Sequence, residues 1–404
     1  MSDEPRNATA TAATDADAEV TGGFADRWAS FRDREISTVL LTVVGVAVFP
    51  FLFNNFLDGY TQLATLMLIY GIFAVGFDIL LGYTGLLSFG HAVFFGGAAY
   101  AAGIFSASVS SSPLLVLFAG TAFAVLMAWI VGFLSLRRGG IYFAILTLTF
   151  GQMSFYLAAS PLAFLTNGEN GFTSVDIGHL LGVIDIHGGV PFPLTMLVDN
   201  MLYVFVAVVT VLSVAMANRI LHSPYGTVFR AIRENERRAE FVGLDVWRYK
   251  LMAFIISAAF AGIAGSLFTI EGNYVPLQSL YWTESGRIVI MTVLGGVGSL
   301  FGPLFGAGLY LYIENIVSGF ETLGPFWHLI LGIVFVVAVI LFPNGIWGGV
   351  EYGQDRTMAA IRFTRENGIK AALRYALDLT VQKVKAVIQK IRSVPARLFG
   401  GEGK

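Results

Sequence analysis

Cysteine is absent from this chain of 404 residues. No disulfide framework, thiolate metal site or cysteine nucleophile can therefore be built from it. Charge is scarce as well. Asp, Glu, Lys and Arg make up 13% of the residues and hydrophobic types 56%, where soluble domains carry roughly 25% charged residues. That deficit places most of the surface against lipid. The sequence also lacks a glycine-rich loop ending in Gly-Lys-Ser/Thr, which would cradle phosphates. It has no His/Glu pair at zinc spacing and no serine elbow between a strand and a helix. The expected chain is a non-catalytic one without a cofactor of its own, and nothing in it calls for nucleic acid. The first 26 residues have no basic start followed by an apolar core, so they do not read as a cleavable signal.

What remains is apolar sequence in blocks. A helix needs about 20 apolar residues to cross the hydrocarbon core. Spans are expected near 36–57, 61–82, 86–106, 113–136, 140–164, 200–220, 249–271 and 325–346. The region 284–317 is apolar but interrupted by LGGVGSLFGPLFGAG, and it crosses either once or twice. Lys and Arg gather on the cytoplasmic side. They cluster at 6–34, 137–138, 219–250 and 356–404, with Arg287 the exception. Two crossings put all four clusters on one side. The expectation is then an all-α polytopic membrane protein of about ten transmembrane helices, both termini cytoplasmic, in the plasma membrane. One crossing leaves nine spans and an external basic tail. The loop 165–199 has no Lys or Arg and carries Glu169, Asp176, Asp185 and Asp199, which fits the outer side.

Three regions follow from this pattern. Residues 1–35 are an acidic tail, too poor in apolar groups to order itself, with a cytoplasmic lead-in. Residues 36–348 are the transmembrane domain. Residues 349–404 interleave basic and apolar positions, as an amphipathic helix on anionic lipid does; a solvated tail is the other reading.

Glycine marks the candidate pathway. The stretch 82–103 has glycines at 82, 85, 90, 96, 97 and 103, and such density permits a broken helix that lines a cavity or is buried in protein. Ser88 and His91 open that segment. Each either caps or cross-links a helix end or touches substrate. Residues 81–90 (LGYTGLLSFG) resemble 294–302 (LGGVGSLFG), with Gly90 in the first and Gly295, Gly296 and Gly298 in the second. Paired glycine-broken segments indicate a duplicated architecture with the pathway between the halves; convergence on packing glycines is the alternative. Asp78 and Glu314 are ionisable groups inside spans, and each is a pathway candidate or a group paired near an interface. Gln152 on an apolar helix bonds a neighbouring helix or faces the pathway. Asn167 and Asn170 lie in a Gly/Asn-rich turn that serves as a turn or as a mouth-lining loop.

The loop 218–250 carries 7 of the 25 Lys and Arg residues. An ordinary positive-inside loop explains the charge, but not the mixed ENERRAE run followed by a glycine stop. RAIRENERRAEFV is expected to form a short helix capped by Gly243, of a shape that fits a partner's groove.

Taken together, GLLSFGHAVFFGGAAYAAG (85–103), GIYFAILTLTFGQM (140–153), TNGENG (166–171), residues 223–267, LGGVGSLFGPLFGAGL (294–309) and FPNGIWG (342–348) resemble the permease subunits of ATP-binding-cassette importers of the branched-chain amino acid class, closer to the M-type than the H-type. The resemblance implies half of a translocation pathway. Its partners would be ATPase subunits carrying ATP and Mg, a second permease chain, an extracytoplasmic binding protein and membrane lipid. It implies that Arg230, Arg233, Glu234, Asn235, Arg238, Ala239 and Gly243 lie in the region that docks on the ATPase. Importers at large carry Glu-Ala-Ala, three residues, then Gly there. This chain has Arg237-Arg238-Ala239 and Gly243, so two positions match. The family often has Asn where this chain has Asp78. Very similar permeases serve urea and short amides. An ion-coupled transporter and a passive channel are the rival classes.

Overall fold

In a computed structural model the chain divides into two units, 1–348 and 349–404. The structure describes residues 35–56, 61–137, 139–179, 185, 188–189, 200–319, 327–341 and 345–349. The tails expected at 1–35 and 349–404 lie, but for one residue each, outside those. Among the described residues every regular element is helical, and the pairs Phe172–Val275 and Gly189–Asn200 are isolated bridges. The helices are α1 (Glu35–Phe56), α2 (Thr61–Thr84), α3 (Ala92–Ser108), α4 (Pro113–Ser135), α5 (Ile141–Ala159), the single turn α6 (Ala163–Thr166), α7 (Met201–Leu221), α8 (Pro224–Glu234), α9 (Glu236–Phe241), α10 (Val246–Gly272), α11 (Trp282–Gly295), α12 (Gly302–Gly319) and α13 (Trp327–Leu341). Five of them, α2, α4, α5, α7 and α10, are long and apolar enough to cross a membrane. The chain is an all-α, multi-pass membrane protein.

Two boundaries differ from expectation. α3 starts at Ala92 rather than near 86, because 85–91 form an irregular break. α5 ends at Ala159 rather than near 164: Pro161 disfavours helical geometry at Ser160, and the chain turns before α6.

The packing inverts the water-soluble pattern. In α4 the buried positions include Gly120, Ala124, Ala128 and Gly132, while Leu114, Phe118, Leu126 and Trp129 are exposed. Small residues let helix backbones approach, and bulky apolar ones face lipid at no cost. The stripe on α4 lies against α10, where Gly262 and Ser266 sit opposite. α2 is the central helix. It is buried from Leu63 to Leu80 except at Leu66 and is surrounded by α7, α10, α11 and α12. A helix apolar on every side must be enclosed in this way.

The ambiguous region 284–317 is a helical hairpin. Gly302 abuts Gly295, Gly306 abuts Met291 and Arg287 reaches Glu314, so α12 runs back along α11. The hairpin accommodates two crossings, although neither helix is among the five long and apolar enough to span on composition alone.

Candidate functional site

The loop between α7 and α10 folds as two helices rather than one. Asn235 is extended (φ -161°, ψ 98°) and separates α8 from α9. Its side-chain oxygen accepts from the Arg238 amide at 3.0 Å, the usual N-cap bond. Asn competes with helix by this local bond, which is why the continuous helix expected here is interrupted. α9 ends in a Schellman motif: the Leu244 amide donates to Ala239 O (3.2 Å) and the Gly243 amide to Glu240 O (2.9 Å). Gly243 has φ +93°, a conformation that costs little only without a Cβ. Ala239 is buried beside Ile232 and Val246, and Leu244 packs on them. The two positions that match the importer pattern are therefore the ones local geometry dictates: one is packed, the other needs positive φ. Lys250 Nζ bonds Glu236 Oε1 at 2.5 Å and ties α9 to the base of α10. Arg238 and Glu234 are exposed. Beside them Phe241 and Val242 are 91% and 78% exposed, an apolar tip on a charged loop.

From α8 two arginines reach the end of α2. The Arg230 guanidinium lies 5.4 Å from the centre of the Tyr83 ring, a contact worth about 0.5–1 kcal/mol at exposed sites. Arg233 Nη1 donates to Gly82 O. The same Nη1 sits where Gly298 approaches, 3.1 Å from the position a Cβ would take there. Asp78, one turn back on α2, accepts the Gly298 amide on both carboxylate oxygens, at 2.9 and 3.1 Å. A Cβ on Gly82 would overlap this carboxylate and lie 2.6 Å from the Gly298 nitrogen. One arginine of the loop thus clasps both glycine-broken segments where they meet. Those segments share one backbone feature, although Gly296 (φ +125°) stands where the other copy has helical Tyr83. Gly85 and Gly298 hold the same register in LGYTG and LGGVG, and they have φ +75° and +86°.

The other pathway candidates divide into two groups. Ser88, Gly90 and His91 lie in the break before α3. Ser88 Oγ accepts from the Gly90 amide at 3.4 Å. His91 is enclosed by Phe73, Phe77, Phe94 and Phe254, and its Nε2 meets Ser257 Oγ at 2.9 Å. The buried start of α3 is capped from the other half of the chain: Ser285 Oγ accepts the Ala92 amide at 2.8 Å. Gly295 and Gly296 end α11 and abut Gly302 and Gly345 respectively. Gln152, Asn167 and Asn170 are not part of this assembly. Gln152 is half-buried on α5. Asn167 adopts φ +64° and donates from Nδ2 to Gly171 O at 3.1 Å, and Asn170 O accepts from the Tyr274 hydroxyl at 3.0 Å. This turn pairs with the segment after α10 through Phe172 and Val275, a full length of α10 away from Arg233.

A second ionic cluster, unsuspected except for Glu314, occupies the far end of the same helices. Arg287 of α11 bonds Glu284 Oε1 and the Tyr70 hydroxyl, each at 3.2 Å, and bonds Glu314 of α12. The single basic residue that broke the charge pattern is thus held by two carboxylates.

Comparison with known proteins accords with these features. The family described as "Branched-chain amino acid transport system / permease component" matches residues 59–339. The chain belongs to this family. The high-affinity branched-chain amino acid transport system permease protein LivM of Escherichia coli (strain K12) is 30% identical over 327 residues, 78% of this chain and 75% of the relative. The probable LivM of Methanocaldococcus jannaschii is 27% identical over 142 residues, 32% of this chain and 41% of the relative. An autoinducer 2 import system permease protein, LsrC of Photorhabdus laumondii, is 28% identical over 149 residues, 35% of this chain and 44% of the relative. No solved structure matches it. Within this permease family, a transport subunit without its own catalytic centre, both broken segments, the loop and the α11–α12 hairpin fall inside the matched region.

Proposed function

We propose that this chain is the M-type permease subunit of an ATP-binding-cassette importer for branched-chain amino acids, and that α8 and α9 couple it to the ATPase. The observation that carries this reading is the Arg233 clasp. A push on the loop is delivered through one guanidinium to the last turn of α2 at Gly82 and to the Gly298 turn beside it, next to both breaks. α9 offers the ATPase an exposed charged face, with Arg238 on it, and the apolar tip Phe241–Val242. ATP and Mg then belong to the ATPase subunits, a second permease supplies the other half of the pathway, and an extracytoplasmic binding protein delivers substrate. Both termini are cytoplasmic.

Isolation of the chain from its native membrane in mild detergent tests this. The expected companions are an ATPase with a phosphate-binding loop and a second polytopic chain. The purified assembly with its binding protein should import leucine into proteoliposomes on ATP. A lone chain whose uptake ignores ATP and collapses with an ionophore refutes the reading. ATP-driven uptake of urea in place of leucine keeps the coupling and replaces the substrate.

A further inference from the structure

A cavity of about 340 Å³ lies between α2, α11, α12 and the segment after α10, at the lower end of the ~300–1,000 Å³ range of small-molecule sites. Its charged wall is the Arg287 cluster. Glu284, Arg287 and Glu314 are each mostly buried, and all three line the space together with Tyr70. Two carboxylates face one guanidinium, so the fully ionised wall carries one negative charge in excess. One of its oxygens, Glu314 Oε2, is buried without a hydrogen-bond partner. Such a group in an apolar setting is costly unless something completes it. The rest of the lining is aliphatic and aromatic: Leu63, Leu66, Leu311 and Phe268, with Leu66 and Leu311 one turn from Tyr70 and Glu314 on the same helix faces. Gln278 and Ser318, both exposed, mark the open side and carry neutral polar groups.

We infer that this cavity is a transit site for an aliphatic α-amino acid, with the ligand's ammonium completing Glu314 and its side chain against Leu63, Leu66, Leu311 and Phe268. The inference rests on the importer reading and adds a site inside the permease to the selection made outside it. A turn of the Glu314 carboxyl about its soft terminal torsion would bring the spare oxygen to the ligand at the expense of the Oε1 contact with Arg287, which keeps its bonds to Glu284 and Tyr70. The ligand's carboxylate is left at the open side, near Gln278. The position also suits transport. α2 runs from Tyr70 at this cavity to Gly82 at the Arg233 clasp, and α11 runs from Arg287 to the break holding Gly298. About twelve residues of helix, roughly 18 Å at 1.5 Å per residue, separate the cavity from the clasp on the same two rods.

The test uses the assembled transporter in lipid nanodiscs without its binding protein, with saturation-transfer NMR as readout. Three probes are compared: L-leucine, isopentylamine (no carboxylate) and 4-methylpentanoate (no ammonium). Leucine and isopentylamine should compete for one saturable site, and 4-methylpentanoate should not. Glu314→Gln, nearly isosteric, should weaken leucine at least tenfold, and Leu311→Trp should remove the signal by filling the space. The inference is overturned if 4-methylpentanoate competes as well as leucine, or if Glu314→Gln binds leucine within twofold of wild type. The probe competition needs no variant, so a misfolded mutant cannot rescue the idea. Leucine import by the wild-type assembly alongside either result sinks the cavity assignment alone, whereas a wild-type assembly that imports no leucine sinks the importer reading first.

Discussion

Two residues show how local chemistry limits what can change. At Asp78 the structure needs an acceptor for the Gly298 amide rather than a charge. Asn supplies the same oxygen at the same reach. Asp78→Asn should therefore keep uptake within about twofold of wild type. Asp78→Leu leaves the amide without that partner, at about 1–3 kcal/mol if it finds no other, and should cut uptake severely at equal membrane abundance. Equal loss in both variants would show that the charge itself is required. At Gly243 the demand is on the backbone. Alanine there costs roughly 1–2 kcal/mol through left-handed strain. Proline, which cannot take φ +93° and has no N–H to donate to Glu240, also dismantles the Schellman closure. Gly243→Pro and the charge reversal Arg238→Glu should both depress uptake at unchanged membrane insertion. Wild-type uptake in both would remove the docking assignment.

The elements divide by how much of them could be read in advance. The apolar blocks announced the long helices to within a few residues at most ends, because hydrocarbon thickness alone sets their length. The likeness between 81–90 and 294–302 was legible in letters, and the contacts between the two segments were not. That Arg233 would clasp both copies depends on α8 lying across the end of α2, which no local pattern encodes. The Arg287 cluster was hidden for the same reason. Arg287 and Tyr70 are 217 positions apart, and only Glu314 stood out as an ionisable group in a span. Asn235 is plain in the sequence, but RAIRENERRAEFV gives no local sign that it caps a second helix rather than continuing the first. The clasp carries the prediction at this scale. Arg233→Ala should leave the loop's own small core of Ile232, Ala239 and Val246 intact while freeing the two breaks from α8. ATP hydrolysis should persist at half the wild-type rate or more while leucine uptake falls at least tenfold, an uncoupled phenotype. A parallel loss of both activities would mean that Arg233 serves assembly instead.

For the whole molecule the decisive quantity is direction. On the topology we propose, the α11–α12 hairpin returns the chain to the side it left, and the Arg233 clasp lies on the cytoplasmic face with the basic loop 218–250. The acidic turn around Glu169 pairs with the segment that also lines the cavity at Arg287, so on that topology both lie toward the outer side. This polarity is what an importer requires, since substrate arrives at one end of α2 and force at the other. Because the chain has no cysteine, single cysteines report their own location without a background to subtract. Cysteine placed at Glu169 and at Ser318 should react with a membrane-impermeant maleimide in intact cells. Cysteine at Arg237 should react only in inverted vesicles, and should be shielded there when the ATPase subunits are bound. Labelling of position 237 from outside would invert the molecule, and with it both the docking face and the direction in which the cavity opens. Labelling of 169 but not 318 from outside would keep the orientation and exclude an outward-opening mouth at the end of α12, leaving the cavity to be filled from within the bundle.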